Sequence, residues 1–287
     1  MRLSDLSVLS PALPTFVLAF AGVLGACLGC LVGRLAWHVA RGEIAREGHI
    51  RCVERGRRSL SFGSLPASGR SFWGDGGRRG RQKALRCAVA GLLGAVFFAS
   101  MVWAYGLTVH AFALCALGCV LLGLSLVDLD TFTIPNGFVL AGVVIWMASF
   151  AFYDVDVRVI GLGTLMLGLV GSPALAVLAD GLSGAFVIAS VLLALSLAFE
   201  KAVGRQSLGG GDIKLLFLVG LFLGVAASAL NLVVACVMGI VFALATRRAR
   251  RDTDDPHVFP FGPSIALATW FTLMVGPQIL GWYFCLF

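Results

Sequence analysis

Residues 109–136 read VHAFALCALGCVLLGLSLVDLDTFTIPN, and this stretch decides the fold. From Val109 to Val127 it carries no Asp, Glu, Lys or Arg, and about 20 apolar residues is what a helix needs to cross the hydrocarbon core of a bilayer. The run stops at Asp128. Pro135-Asn136 then ends the turn and starts another helix, because proline fixes φ and fits the first positions of a helix. Working outward, the same apolar texture covers the chain. Its 287 residues are 59% hydrophobic and 13% charged, with a mean hydropathy of +0.95, whereas ordinary globular sequences carry about 25% charge. The apolar material suffices for about seven to nine membrane helices. An all-α, polytopic helical bundle embedded in a lipid bilayer is expected, and soluble enzyme folds, coiled coils and disordered tails are excluded.

The formal charge of +7 is concentrated rather than spread. Between Arg34 and Arg86 there are thirteen Lys or Arg against four acids, a local +9. A basic stretch between two apolar runs is the positive-inside signal, which puts 34–86 in the cytoplasm and the N-terminus outside. A nucleic-acid interface is the lesser reading of that loop, and no nucleic-acid partner is expected. Three regions follow: a first span within 1–33, the basic loop 34–86, and a membrane core over 87–287.

The eight cysteines do not form a disulfide framework, since all except Cys52 lie in or beside apolar runs and read as small hydrophobes. Cys27-x-x-Cys30 has a metal or redox spacing, but it sits mid-span with no nearby His. Leu24-Gly25-Ala26-Cys27 faintly resembles a lipoprotein cleavage box, yet the apolar run continues to about Gly33, longer than a signal sequence provides, so an uncleaved first span is preferred. Gly25, Gly29 and Gly33 fall four apart, a spacing that lets two membrane helices approach closely.

Parity constrains the topology. Spans at about 14–33, 87–106 and 109–127 bring Asp128 to the cytoplasmic side. From the other end, Arg247-Arg248-Ala249-Arg250-Arg251 is a second basic cluster, so runs at about 214–229 and 231–246 form an out-and-back hairpin and Asp212 is also cytoplasmic. An even number of crossings then separates the two aspartates, although three apolar runs lie between them, at about 137–153, 159–179 and 181–200. The run 159–179, rich in glycine and ending at Asp180, is the one expected not to span. With 263–285 as the last crossing, about eight spans result.

Ionisable residues at membrane depth are costly and are functional candidates by default. Asp128 ends an apolar run and Asp212 opens one. The first sits in Val127-Asp128-Leu129-Asp130-Thr131-Phe132-Thr133-Ile134-Pro135-Asn136. The second sits in Gly209-Gly210-Gly211-Asp212-Ile213-Lys214, where glycines let the backbone bend and approach a neighbour before a helix begins. Two carboxylates brought together do not both ionise easily and titrate as a unit. One then activates water as a base while the other donates a proton, which is acid–base hydrolysis of a peptide bond.

These frames, with Phe259-Pro260-Phe261-Gly262-Pro263 before the last span, resemble the type IV prepilin peptidase family of GxGD membrane aspartic proteases. The resemblance covers about residues 110–287, with span 1 fitting only loosely. It implies removal of the short basic leader from type IV prepilins or pseudopilins at the cytoplasmic face of a bacterial inner membrane, with Asp128 and Asp212 catalytic and no cofactor required. Pro135, Asn136, Gly209, Gly211 and Lys214 match supporting positions. Bifunctional members resemble zinc proteins in their cytoplasmic loop, where two Cys-x-x-Cys pairs accompany N-methylation of the new N-terminus. Here only Cys52 stands in 34–86, so no zinc site is expected and methyl transfer is not implied.

Two other readings compete with this one. A proton- or cation-coupled transporter would use the same aspartates, but no internal repeat relates the halves. Presenilin-like enzymes resemble a different pattern, with Tyr before the first Asp and Pro-Ala-Leu after the GxGD turn. Here Val127 precedes Asp128, and Pro173-Ala174-Leu175 comes too early. Among the remaining residues, Asp130 is expected to be solvated or to cap the turn, Lys214 to point away from Asp212, and Asn136 to cap or turn the chain. Asp180 is expected to mark a water boundary. His38, His49, His110 and His257 read as solvated side chains.

Overall fold

The structure, a computed structural model, describes residues 13–56, 76–150, 173–203, 209–247 and 260–285. Among these there are seven helices and no strand: α1 (Leu13–Gly56), α2 (Gly76–Tyr105), α3 (Val109–Thr131), α4 (Asn136–Phe150), α5 (Pro173–Val203), α6 (Gly210–Arg247) and α7 (Gly262–Cys285). Six contain segments long and apolar enough to cross a membrane, and α4 contributes a shorter apolar helix, Asn136–Ser149. The chain is a multi-pass membrane protein. At 1.5 Å per residue α4 rises about 21 Å over that stretch, short of the ~30 Å hydrocarbon core, so the described part of the expected 137–153 span does not cross.

Large apolar side chains such as Phe20, Leu92, Trp103, Phe186 and Ile240 face outward, as a lipid-facing surface requires and a soluble one does not tolerate. The interior is built around α3, whose Leu114, Leu117 and Leu124 are buried against Met101 of α2, Leu215 and Leu218 of α6 and Ile265 of α7. Because lipid is as apolar as leucine, helices in a membrane associate through close packing of small residues. Gly25, Gly29 and Gly33 do this on α1: a Cβ on Gly25 would lie 2.8 Å from Phe98 Cβ, and one on Gly29 would strike the backbone of Ala90.

Both helices flanking the basic region outrun their apolar segments. α1 continues from the crossing segment Pro14–Gly42 to Gly56, and α2 begins at Gly76, eight residues before its crossing segment Ala84–Tyr105. The expected loop 34–86 is therefore helical at both ends; residues 57–75 lie outside the described residues. The proposed non-spanning run 159–179 lies outside them through 172, and its remainder opens α5, which runs unbroken through Asp180.

α7 contains Pro277, which has no N–H to give the carbonyl four residues back. That carbonyl, on Leu273, instead accepts the Tyr105 hydroxyl at 2.7 Å. In a bilayer no water could have served it.

α6 is interrupted at Gly224 (φ 72°, ψ −176°). Were it straight, Gly239 would stand about 40 Å from Asp212. Yet a Cβ on Gly239 would fall 2.7 Å from the Phe261 ring; the adjacent Gly262 N–H donates to Asp128 at 2.9 Å, and Ile134, in the turn that follows Asp128, lies against Gly211, where a Cβ would stand 3.1 Å away. That chain of contacts is far shorter than 40 Å, so α6 folds back on itself at Gly224. The hairpin expected over 214–246 turns there rather than between 229 and 231.

Candidate active site

Three helix ends meet at one end of the bundle. α3 supplies Asp128 in its last turn and stops when Phe132 takes a left-handed conformation (φ 52°), its N–H bonding the Asp128 carbonyl at 2.9 Å. Thr131 Oγ1 donates to the Val127 carbonyl (3.0 Å) and shares a 2.8 Å hydrogen bond with Thr133, so the turn is tied down before it reaches Ile134-Pro135-Asn136. The Pro135 carbonyl accepts the Phe138 N–H, and Asn136 starts α4.

α6 supplies Asp212 in its first turn. The Gly209 carbonyl accepts the Asp212 N–H at 3.0 Å, and the Asp212 carboxylate folds back toward Gly209, where a Cβ would stand 3.4 Å from its Oδ2. Gly211 brings this turn onto the first one: a Cβ there would lie 3.1 Å from Ile134 Cβ. Gly210, between them, faces open space. Lys214 Nζ donates to Asn136 Oδ1 at 3.0 Å, a second link between the two turns. Lys214 thus has a definite partner on the neighbouring turn.

α7 supplies no carboxylate but holds one. The Phe261 carbonyl accepts the N–H groups of Ser264 and Ile265, which leaves the Gly262 N–H among the unpaired donors of a helix start. It donates to Asp128 Oδ2 at 2.9 Å. A carboxylate at the C-terminal end of its own helix opposes the dipole of α3; the N-terminus of α7 aimed at it offsets that. Asp128 is 5% exposed and Asp212 is half-buried, so one carboxylate is recessed and the other more accessible.

Of the sequence-derived residues, Asp128, Asp212, Gly209, Gly211, Pro135, Asn136 and Lys214 all lie at this junction. Asp130 does not: it pairs through both carboxylate oxygens with Arg86 of α2, which corrects the solvated or capping role expected for it. Arg86 also lies over the Trp37 ring, with Arg41 4.6 Å from the same ring. Asp180 is buried inside the protein beside Gly224 rather than exposed. His38 is exposed and His110 packs edge-on against Tyr105; the side chains of His49 and His257 lie outside the described residues. Among the described residues no group of three or more His, Cys, Asp or Glu could hold a metal ion. The Gly262 donor was missed from sequence, although a glycine set between Phe261 and Pro263 before an apolar run was the visible signal.

The pattern of the type IV leader peptidase family matches residues 115–244, which include both aspartates and the turns that carry them. Over those residues the chain is similar to that family. Among relatives, the prepilin leader peptidase/N-methyltransferase of Pseudomonas putida is 30% identical over 178 residues, 62% of this chain and 54% of that protein. The protein of that name from Aeromonas salmonicida strain A449 is 31% identical over 164 residues, 57% of this chain and 49% of its own; that of Neisseria gonorrhoeae is 26% identical over 186 residues, 65% and 56%. The chain spans about half the length of the curated relatives it matches. No solved structure matches it. The family segment ends before α7, so the Gly262 contact to Asp128 joins it to a part of the chain that the family match leaves out.

Proposed function

We propose that the chain is a membrane aspartic endopeptidase that removes the short basic leader from type IV prepilins or pseudopilins at the cytoplasmic face of a bacterial inner membrane. The observation that carries this reading is the junction of the two turns that hold Asp128 and Asp212, the end of one helix and the start of another, joined by the Lys214–Asn136 hydrogen bond at 3.0 Å and by Gly211 against Ile134. The activity named for the relatives and the family of residues 115–244 support it. The cytoplasmic orientation rests on the basic stretches 34–86 and 247–251.

In this mechanism the scissile carbonyl lies between the carboxylates, which share one proton. Gly262 holds Asp128 through Oδ2, leaving Oδ1 to meet water or substrate. The ionised aspartate takes a proton from water as its oxygen bonds to the carbonyl carbon; the protonated one hydrogen-bonds the carbonyl oxygen. Collapse breaks the C–N bond, the departing nitrogen receives a proton, and the leader leaves with a new carboxyl group. Asp128 and Asp212 are the catalytic pair; Gly209, Gly211, Pro135, Asn136 and Lys214 fix their spacing. Methyl transfer is no part of the proposal.

Co-expression with a prepilin, read by mass, tests it. Wild type is expected to remove the leader, and Asp128→Asn and Asp212→Asn to leave it intact. Cleavage by both variants refutes the dyad, and failure by the wild type refutes the substrate class. A further 14 Da on the mature product, the mass of one methyl group, would add N-methylation to the activity.

A further inference from the structure

Asp180 is an acid buried in the membrane-spanning part of α5, 7% exposed, and the dyad chemistry does not use it. It lies against the break in α6. A Cβ on Gly224 would fall 2.5 Å from the Asp180 carboxyl carbon and 2.9 Å from its Oδ1. Gly224 also holds φ 72°, ψ −176°, a region essentially reserved for glycine. The break therefore demands glycine twice, for its backbone and for the space the carboxylate occupies.

Breaking a helix in a bilayer frees N–H groups that water cannot reach. Val225, first residue of the returning arm, gives its N–H to Asp180 Oδ1 at 3.4 Å, and a carboxylate there also faces the favourable end of that arm's dipole. The seat is otherwise backbone on backbone: a Cβ on Gly184 would lie 2.8 Å from the Gly220 carbonyl oxygen, and one on Gly220 would lie 2.7 Å from Ala185 Cα. Asp180 is the polar group in this seat that meets the freed backbone.

We propose that Asp180 is a positioning residue for the aspartate pair, acting through the reversal of α6. The outgoing arm of that reversal begins with Asp212. The returning arm carries Gly239 to Phe261, whose carbonyl starts α7 and so sets the Gly262 N–H that holds Asp128. One carboxylate on α5 thereby fixes both halves of the site. Its task is to accept a hydrogen bond, which a neutral amide oxygen also performs. This inference rests on the peptidase reading only for its activity readout.

The test uses the full chain in membranes with Asp180→Ala, Asp180→Asn and Asp180→Ala combined with Gly224→Ala. Leader cleavage is one readout. The other is crosslinking between Leu230→Cys and Gly276→Cys, positions that face each other across the returning arm and α7, mapped by peptide mass. Asp180→Ala is expected to lower kcat on the order of 10- to 100-fold, the weight of one hydrogen bond to a charged group, with KM little changed, and to lower the crosslink yield. Asp180→Asn is expected to restore both to within about 3-fold, since only the acceptor is needed. The double variant is expected to lose less than the product of the single losses, because the two residues share one contact. Wild-type behaviour of Asp180→Ala in both readouts overturns the proposal, as does an Asp180→Asn variant no better than Asp180→Ala. If the wild type cleaves no prepilin, the peptidase reading fails and the crosslink alone decides the role of Asp180.

Discussion

Replacing Gly262 by alanine places one methyl group where the structure has none to spare. The new Cβ would stand 2.7 Å from Asp128 Oδ2, 3.2 Å from its Cγ and 3.3 Å from its Cβ. A comfortable contact between such atoms is nearer ~3.5 Å, so the carboxylate has to retreat by roughly 0.5–1 Å. The 2.9 Å hydrogen bond from Gly262 then stretches to about 3.5 Å or beyond, where it no longer counts as one. Losing a hydrogen bond to a charged group costs about 1.5–3 kcal/mol, and displacing a catalytic group by about 1 Å can cost 10²-fold. A fall in kcat of roughly 10- to 100-fold, with KM nearly unchanged, is expected in the leader-cleavage assay at matched protein level. Two other glycines calibrate the result. Gly211→Ala meets Ile134 at 3.1–3.2 Å, which that side chain can partly absorb, so an intermediate loss is expected. Gly210→Ala meets nothing within 4 Å and should stay within about 2-fold. A Gly262→Ala enzyme as fast as wild type, or one faster than Gly210→Ala, would refute the claim that Gly262 holds Asp128.

Tyr105→Phe leaves the Leu273 carbonyl without the partner that Pro277 cannot provide; a loss of about 1–2 kcal/mol is expected, read as a lower unfolding midpoint in detergent, with activity per folded molecule retained. Gly29→Leu drives a side chain into the Ala90 backbone and should separate α1 from α2, sharply reducing folded protein, whereas Gly22→Leu, at a position with open space, should behave as wild type in the same thermal assay. Arg86→Ala and Asp130→Ala should each lower the unfolding midpoint by breaking the link between α2 and α3, and the exchange Arg86→Asp with Asp130→Arg should recover part of the loss; an exchange no better than the single variants would mean that the pair contributes little.

What the sequence reveals and what it hides divides along the range of the interactions. Asp128 and Asp212 stand out because hydropathy is a local property and both sit where it changes. Gly25, Gly29 and Gly33 are legible for a similar reason, as a period on one face. Helix length is hidden where polarity rises without the helix stopping: α1 runs on to Gly56, past its apolar segment Pro14–Gly42, and hydropathy marks only the part suited to lipid. Asp180 looks like a boundary in sequence because a charge in an apolar run ordinarily means water. Its partner is a broken backbone on another helix, which leaves no trace in its own neighbourhood. The same holds for Asp130, whose partner Arg86 is 44 residues away.

The reversal of α6 is the sharpest case. Two adjacent apolar runs before the basic cluster at 247–251 suggest it, yet nothing in the hydropathy of residues 214–246 locates the turn. Among the glycines there, Gly220, Gly224 and Gly239 look alike in sequence, and each is hemmed in for a different reason: by the α5 backbone, by the Asp180 carboxylate, and by the Phe261 ring. Of the three only Gly224 also has a positive φ, and there a neighbouring helix supplies an acceptor, Asp180, for the N–H of Val225. A helix in a bilayer breaks where its freed backbone is met, so the position of the turn is specified by α5 rather than by α6. By the same logic Asp128 is set by α7, two helix ends away from its own. The aspartates are thus local in sequence, and the geometry that would make them work is not.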